Sequence, residues 1–353
     1  MIKYLGSKRL LATMLGDIAV AVGAHTAVDV FTGTTRVAQE FKRRGIHVTA
    51  LDCATYAEVL ARCYVVTDAA SVDKDELTEA LALLNALPGK AGYFTETFCE
   101  ASRYFQPKNG MRVDAIRDAI ESGYRTNALY PVLLTALMLA ADRVDSTTGV
   151  QMAYLKSWAP RALNDLELRM PELLVGDGAA MRGDASTLID VVPAVDVAYL
   201  DPPYNQHRYF TNYHVWETLM RWDAPEHYGI ACKRIDSHDD STHSSFNSKP
   251  AMPAALQSLI ARTKADVVVV SYNDESWVRP DDITVWLHAA GHDEVAMLEV
   301  DSKRYVGAQI GIHNPAGRKV GTVSHLRNTE YVFVAGSRAA VAAATRSVLA
   351  PTA

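Results

Sequence analysis

TAVDVFTGTTRVAQEFKRRGIHVTALD, residues 26–52, holds two short apolar, β-branched runs, TAVDVF (26–31) and IHVTALD (46–52), each closing on or beside an acid. Between them VAQEFKRRG sets Val37, Ala38 and Phe41 on one helical face, and Gly45 supplies a stop. Strand, glycine turn, helix and strand in that order open a parallel α/β sheet.

Further along, VDVAYLD (195–201) and ADVVVVSY (265–272) are continuous apolar runs of the kind buried on both faces of such a sheet. DEVAMLEV (293–300) and TEYVFVA (329–335) are two more strands, expected to pair as a hairpin across the long segment between them. From 57 to 172 the texture is helical, as in VDKDELTEALALLNAL, VDAIRDAIESG and YPVLLTALMLAADRV. A crossover needs only about a dozen residues. The expected organisation is therefore a catalytic domain of residues 1–56 and 173–335 interrupted by a helical subdomain, 57–172. Residues 223–250, polar and rich in His and Ser, predict a long mobile loop. The Ala-rich tail, 336–353, is expected to fray.

At 353 residues, 49% hydrophobic and 22% charged, the chain can bury a substantial core. No apolar run approaches the ~18 residues of a membrane span. The start, MIKYLGSKRLLATML, lacks the apolar core of a signal peptide. Cys53, Cys63, Cys99 and Cys232 show no metal-ligand spacing, so free thiols in a reducing cytoplasm and no metal are expected. A net charge of −6 advertises no nucleic-acid binder, yet residues 1–62 hold eight Lys or Arg against five Asp or Glu. Any surface that meets phosphate must be a patch rather than a whole-protein field.

Chemistry concentrates in LDPPYNQHRYF (200–210), where an apolar strand leaves through a stiff double-proline turn. Prolines fix their own φ and bias the preceding residue towards extended geometry, so Asp201 and Tyr204 would be held rigidly at the sheet's carboxyl edge. An exocyclic amino nitrogen is a poor nucleophile because its lone pair is delocalised. A fixed carboxylate, Asp201, and the Pro202 carbonyl could accept its two hydrogens while Tyr204 stacks on the ring. Pro203 completes the rigid turn.

DVFTGTTRVAQEF has one glycine, Gly33, where a dinucleotide fingerprint has three, so no pyrophosphate is invited. Asp52, 19 residues on, is placed to accept from ribose hydroxyls. A nucleoside-type ligand without a pyrophosphate fits, and S-adenosylmethionine is one. In YLGSKR (4–9) a Gly-Ser turn and Lys8 precede a helix. In GDAS (183–186), Asp184 either accepts from an adenine amino group or caps a helix.

Together these motifs, in this order, resemble the Dam-like class of DNA adenine-N6 methyltransferases. The helical block with YFTETFCEASRYF and AADRVDSTTGVQMAYLKSW resembles its FokI-type members. SKRY (302–305) and VVVSYND (268–274) are similar to its later sheet motifs. The resemblance implies a doubly wound, mostly parallel, seven-stranded Rossmann-like methyltransferase sheet with a reversed last strand. It implies that Tyr4 and Lys8 line the methionine end of S-adenosylmethionine, and that Asp29, Phe31 and Gly33 form the cofactor floor. Asp52 would hold the ribose, Asp184 would lie near the cofactor adenine, and Asp201, Pro202 and Tyr204 would hold the target adenine. One departure is Thr35, where many relatives have a second glycine, which is expected to narrow the approach.

The implied partner is duplex DNA, with room for a cognate restriction endonuclease and with a monomer sufficient. Arg208, Lys233, Arg234 and Lys249 are the expected phosphate contacts of the loop, and sequence recognition falls to 57–172 and 205–250. An RNA adenine or protein glutamine methyltransferase is the rival in chemistry, although the latter enzymes mostly carry Asn at the position of Asp201. A catalytically silent DNA-binding module is the rival of another class.

Overall fold

The computed structural model describes residues 2–4, 8, 11–203, 208–273, 276–303 and 327–349. Helix α1 (Ala12–Ala21) leads into β1 (Thr26–Asp29), α2 (Arg36–Arg43) and β2 (His47–Asp52). Gly45, at φ +79°, ends α2 as its position in the sequence predicts. The chain then runs through α3 (Thr55–Ala61), α4 (Lys74–Ala86), α5 (Pro107–Tyr124) and α6 (Tyr130–Arg143). It returns to the sheet in β3 (Gly178–Arg182), α7 (Ala185–Leu188) and β4 (Val195–Leu200). After α8 (His214–Arg221) comes a two-stranded ribbon of β5 (His227–Tyr228) and β6 (Lys233–Arg234). Last are α9 (Met252–Arg262), β7 (Ala265–Asn273), α10 (Pro280–Ala289), β8 (Glu294–Lys303), β9 (Arg327–Gly336) and α11 (Arg338–Leu349).

Seven strands form one sheet in the order β3-β2-β1-β4-β7-β9-β8. β1 is parallel to β2 and β4, and β4 to β7, whereas β9 runs antiparallel to both β7 and β8. The hairpin register runs from Glu294 opposite Gly336 to Lys303 opposite Arg327. The order in which the chain adds strands reverses between β1 and β4, the switch point at which doubly wound sheets bind ligands. One face packs Val28, Ala198, Leu200, Val268, Val270 and Phe333 against α9 and α10 in a single buried cluster. The alternate residues Val197, Tyr199, Val267, Val269, Val332 and Val334 are equally buried on the other face, where α2 and α11 pack. This accounts for the unbroken apolar runs.

The chain divides into two units, one of residues 6–53, 181–207 and 244–353, the other of residues 1–5, 54–180 and 208–243. The helical unit is thus larger than the expected 57–172. It takes in α8 because Trp216, Leu219 and Met220 share a buried cluster with Leu60, Ile116, Leu133 and Leu137. Glu217 fixes α8 to α3 by accepting from the Thr55 amide (3.0 Å) and hydroxyl (2.6 Å).

Two expectations are corrected. Residues 223–250 are not a structureless loop: Arg234 ties the ribbon to Asp223 and Asp236, and Phe246 is buried in the sheet unit. The Ala-rich tail forms α11, which buries Val341 and Ala344 and packs on α1, β8 and β9.

Candidate active site

The carboxyl ends of β1, β2 and β4 gather the acids that the sequence singles out. Asp29 is 1% exposed and faces inward. Its Oδ2 accepts from Thr32 Oγ1 (2.9 Å) and from the Ala38 amide (3.2 Å), so it braces the turn into α2. Burial pushes its carboxyl up to about 7; the Thr32 hydrogen bond opposes this, and the charges of Asp201 and Asp52 add to it. Asp201 and Asp52 therefore both stand within electrostatic reach of Asp29.

Asp52 closes β2, and its Oδ2 accepts the Gly33 amide at 2.9 Å. Gly33 sits at φ +49°, where a side chain would strain the backbone. Phe31, half-buried, meets Phe246 edge-on, with centroids 5.0 Å apart at 77°. Asp184 is exposed and caps α7, accepting the Ser186 amide at 2.8 Å, the second of the two roles that the sequence allowed. Gly183 donates its amide to the Asp52 carbonyl (2.9 Å), which sets that cap beside the end of β2.

Thr35 differs from its expectation. It lies in the left-handed region at φ +61°, fully buried, with its hydroxyl donating to the Thr34 carbonyl and accepting from Gln39 Nε2, both at 2.7 Å. Its side chain is turned into the protein and does not narrow an approach.

Asp201 follows β4, with Pro202 buried and Pro203 half-buried behind it. Lys8 Nζ lies 3.1 Å from Asp201 Oδ1 and also contacts Glu330 Oε1. Burial raises the Asp201 carboxyl to about 6, against the pull of Lys8 and with the push of Glu330. Lys8 is thus bound to the carboxylate of the double-proline turn. Glu330 was missed from sequence. The signal lay in TEYVFVA, where an acid sits in a strand whose neighbours are apolar. Tyr204 and the Arg304–Tyr305 half of the later motif lie outside the described residues.

The remaining expected residues are divided between the two units. Tyr4 belongs to the helical unit, stacked on Tyr213 (4.6 Å, 18°) and Tyr209 (5.4 Å, 26°), with its hydroxyl 3.2 Å from that of Tyr56. Arg208 Nη1 donates to the Ser237 carbonyl at 3.0 Å, Lys233 is half-buried on the ribbon, and Lys249 is exposed in the sheet unit. Arg234, expected to meet phosphate, is instead 1% exposed, with paired bonds to Asp223 (2.7 and 2.7 Å) and to Asp236 (3.0 and 2.7 Å). Its guanidinium is an internal strut, because two flanking carboxylates outcompete any outside anion.

Comparison with known proteins agrees with this geometry. Residues 4–285 match the family of D12 class N6 adenine-specific DNA methyltransferases. The type II methyltransferase M.NlaIII of Neisseria lactamica is 31% identical over 287 residues, which cover 77% of this chain and 83% of that one. The modification methylase StsI of Streptococcus sanguinis is 30% identical, covering 80% of this chain and 45% of its own length. M.FokI of Planomicrobium okeanokoites is 27% identical, with 83% and 47% covered. The chain spans about half the length of these last two. With most of its length matched by one family and a relative of similar size at 31% identity, the chain belongs to the D12 class N6 adenine-specific DNA methyltransferases.

Proposed function

We propose that the chain moves a methyl group from S-adenosylmethionine to N6 of an adenine flipped out of duplex DNA, as the modification half of a restriction-modification system. The supporting observation is the convergence of Asp29, Asp52 and Asp201 where the strand order reverses. A cytoplasmic enzyme acting as a monomer on one adenine per encounter, beside a cognate endonuclease, is the setting this reading implies.

The residues present fit the cofactor. Asp52 at the end of β2 suits ribose hydroxyls, the turn at Gly33 carries no side chain to oppose close backbone approach, and half-buried Phe31, braced edge-on by the buried Phe246, offers apolar surface to a purine. An excess of carboxyl groups favours a cationic ligand. When bound, S-adenosylmethionine supplies an electrophilic methyl group on a positive sulfur.

The chain's own task is alignment. Flipping a base costs a few kcal/mol, which stacking on Tyr204, worth roughly 1–3 kcal/mol, offsets. Asp201 accepts one amino hydrogen and the Pro202 carbonyl the other, turning the N6 lone pair towards the methyl group. As the N–C bond forms and the C–S bond breaks, N6 becomes cationic and loses a proton. Asp201, held at about 6, can take that proton and pass it to water.

The reading is tested by mass spectrometry of nucleosides from the DNA of cells expressing the chain or its Asp201→Ala variant. N6-methyladenine in the first and none in the second is expected. Methylated adenine in RNA, or methylated glutamine in protein, with unmodified DNA would overturn the substrate.

A further inference from the structure

We infer that Glu330 is a positioning residue that shares Lys8 with Asp201 and takes the cation over when a substrate amino group reaches Asp201. The inference rests on the adenine-transfer reading above and names the residue that makes Asp201 available.

Glu330 owes its place to the reversal of β9. An antiparallel strand begins where its parallel neighbours end, and Glu330 pairs with Asn273 at the close of β7. Lys8 is fixed from the opposite direction, its carbonyl accepting the Leu11 (3.0 Å) and Ala12 (2.8 Å) amides at the entry to α1. The side chains of Lys8, Asp201 and Glu330 are only 8%, 16% and 9% exposed. Two carboxylates therefore meet one ammonium away from bulk water.

That ratio matters for the chemistry. A neutral aromatic amine is a weak donor and cannot displace an ammonium from its only carboxylate in a low-dielectric site. With Glu330 present, the ammonium has a second anion to settle on, and Asp201 is released without stranding a buried charge. Asp201 Oδ1 already has spare acceptor capacity: it is buried, with the Lys8 charge at 3.1 Å but no aligned hydrogen bond among the described residues.

Among the described residues, the other groups facing Asp201 cannot substitute for Glu330. Asp29, on β1, is committed to Thr32 and Ala38. Tyr199, on β4, donates its hydroxyl to Ser271 Oγ at 2.9 Å, and burial keeps it protonated.

The experiment compares wild type, Glu330→Gln and Glu330→Asp, each alone and with Lys8→Met. The first readout needs neither DNA nor cofactor: the ¹³C-labelled Asp201 carboxyl, assigned by its loss in Asp201→Asn, is titrated by NMR. With the Glu330 charge gone and its pull on Lys8 removed, the midpoint should move to lower pH by about half a unit or more. The second readout is methyl transfer to DNA. Glu330→Gln should lower kcat about tenfold with little change in KM, shift the acid limb of the profile in the same direction, and be partly rescued by Glu330→Asp. In the Lys8→Met background the Glu330→Gln effect on kcat should vanish.

An unmoved titration midpoint would overturn the charge sharing whatever the substrate. A moved midpoint with unchanged kcat, or an equal loss in the Lys8→Met background, would overturn the hand-over. Should Glu330→Gln no longer bind S-adenosylmethionine in a calorimeter, its NMR titration, which needs no cofactor, still decides the sharing of Lys8, and Glu330→Asp carries the transfer readout. A wild type that leaves DNA unmethylated would count against the adenine reading, and the NMR arm would still decide the sharing of Lys8.

Discussion

Asp52 accepts the amide of Gly33 at 2.9 Å, so the acid that ends the second strand fastens the turn that ends the first. One carboxylate shapes the turn and, in the proposed function, also meets the ribose. The two roles can be separated. Asp52→Asn keeps an oxygen for Gly33 and should leave stability within about 0.5 kcal/mol of the parent. It should weaken S-adenosylmethionine binding at least tenfold, because a charge-assisted hydrogen bond is worth roughly 1.5–3 kcal/mol. Asp52→Ala should lose on both counts. Calorimetry beside thermal melts decides this, and equal binding by Asp52→Asn would remove Asp52 from the ribose.

Asp29 makes stability depend on pH. Its folded value of about 7 stands above the ordinary 3.8, so between about pH 4 and 7 the native chain holds a proton that the unfolded chain has released. The contribution is full below that window and is lost as pH rises through it; Asp201, at about 6, acts in the same direction. Urea unfolding followed from about pH 5 to 8 should show falling stability, and Asp29→Asn should flatten the curve. An unchanged slope in the variant would place the dependence elsewhere.

Thr35 holds a β-branched side chain in the left-handed region, a conformation that costs roughly 1–2 kcal/mol. Its hydroxyl bond to Gln39 compensates. Thr35→Gly should therefore stay within about 1 kcal/mol of the parent, whereas Thr35→Val, which keeps the strain and loses the bond, should fall about 2 kcal/mol below it. The reverse order in denaturant titrations would mean that the turn is not strained.

Gly110 in α5 has no room for a side chain: a Cβ there would run into Cys99 Sγ and meet Thr95 Cα at 3.2 Å. Although alanine favours helix by about 1 kcal/mol, Gly110→Ala should destabilise by a net ~1–3 kcal/mol through overpacking. A stabilised variant would show that the α5 contact can yield.

Arg234 and the other three expected phosphate contacts should behave oppositely towards DNA. Replacing Arg208, Lys233 and Lys249 by alanine should lower affinity and flatten its dependence on salt, with little change in melting temperature. Arg234→Ala leaves Asp223 and Asp236 to Arg221 and should cost about 1.5–3 kcal/mol of stability. A salt slope that responds to Arg234 alone would reverse these assignments.

Elements with their own periodicity were legible. The runs at 195–201 and 265–272 became β4 and β7 within a residue, and VAQEFKRRG became α2. The motifs located the site edge because prolines, a lone glycine and strand-end acids carry local instructions. What could not be read was set by partners remote in sequence. Lys8 and Glu330 are 322 residues apart, and nothing near either announces the other. Arg234 looked like a solvated loop cation because Asp223 and Asp236 reveal themselves as its clamps only when the ribbon folds. The Ala-rich tail showed too little contrast between its faces to reveal that α1 and the sheet would cover one of them.

The strand order has a consequence in time as well as in space. Asp196 accepts from the His25 amide (2.7 Å), the Thr26 amide (2.8 Å) and the Thr26 hydroxyl (3.0 Å), which staples the start of β4 to the start of β1. These partners are 170 residues apart. At a synthesis rate of about 5–20 residues per second, β1 emerges roughly 10–30 s before the strand that completes its pairing. During that interval its apolar edge has β2 on one side and open backbone on the other, a template for other chains. Nascent sheet residues should accordingly be substrates for ribosome-associated chaperones, and expression yield should depend on how quickly ribosomes cross the helical block.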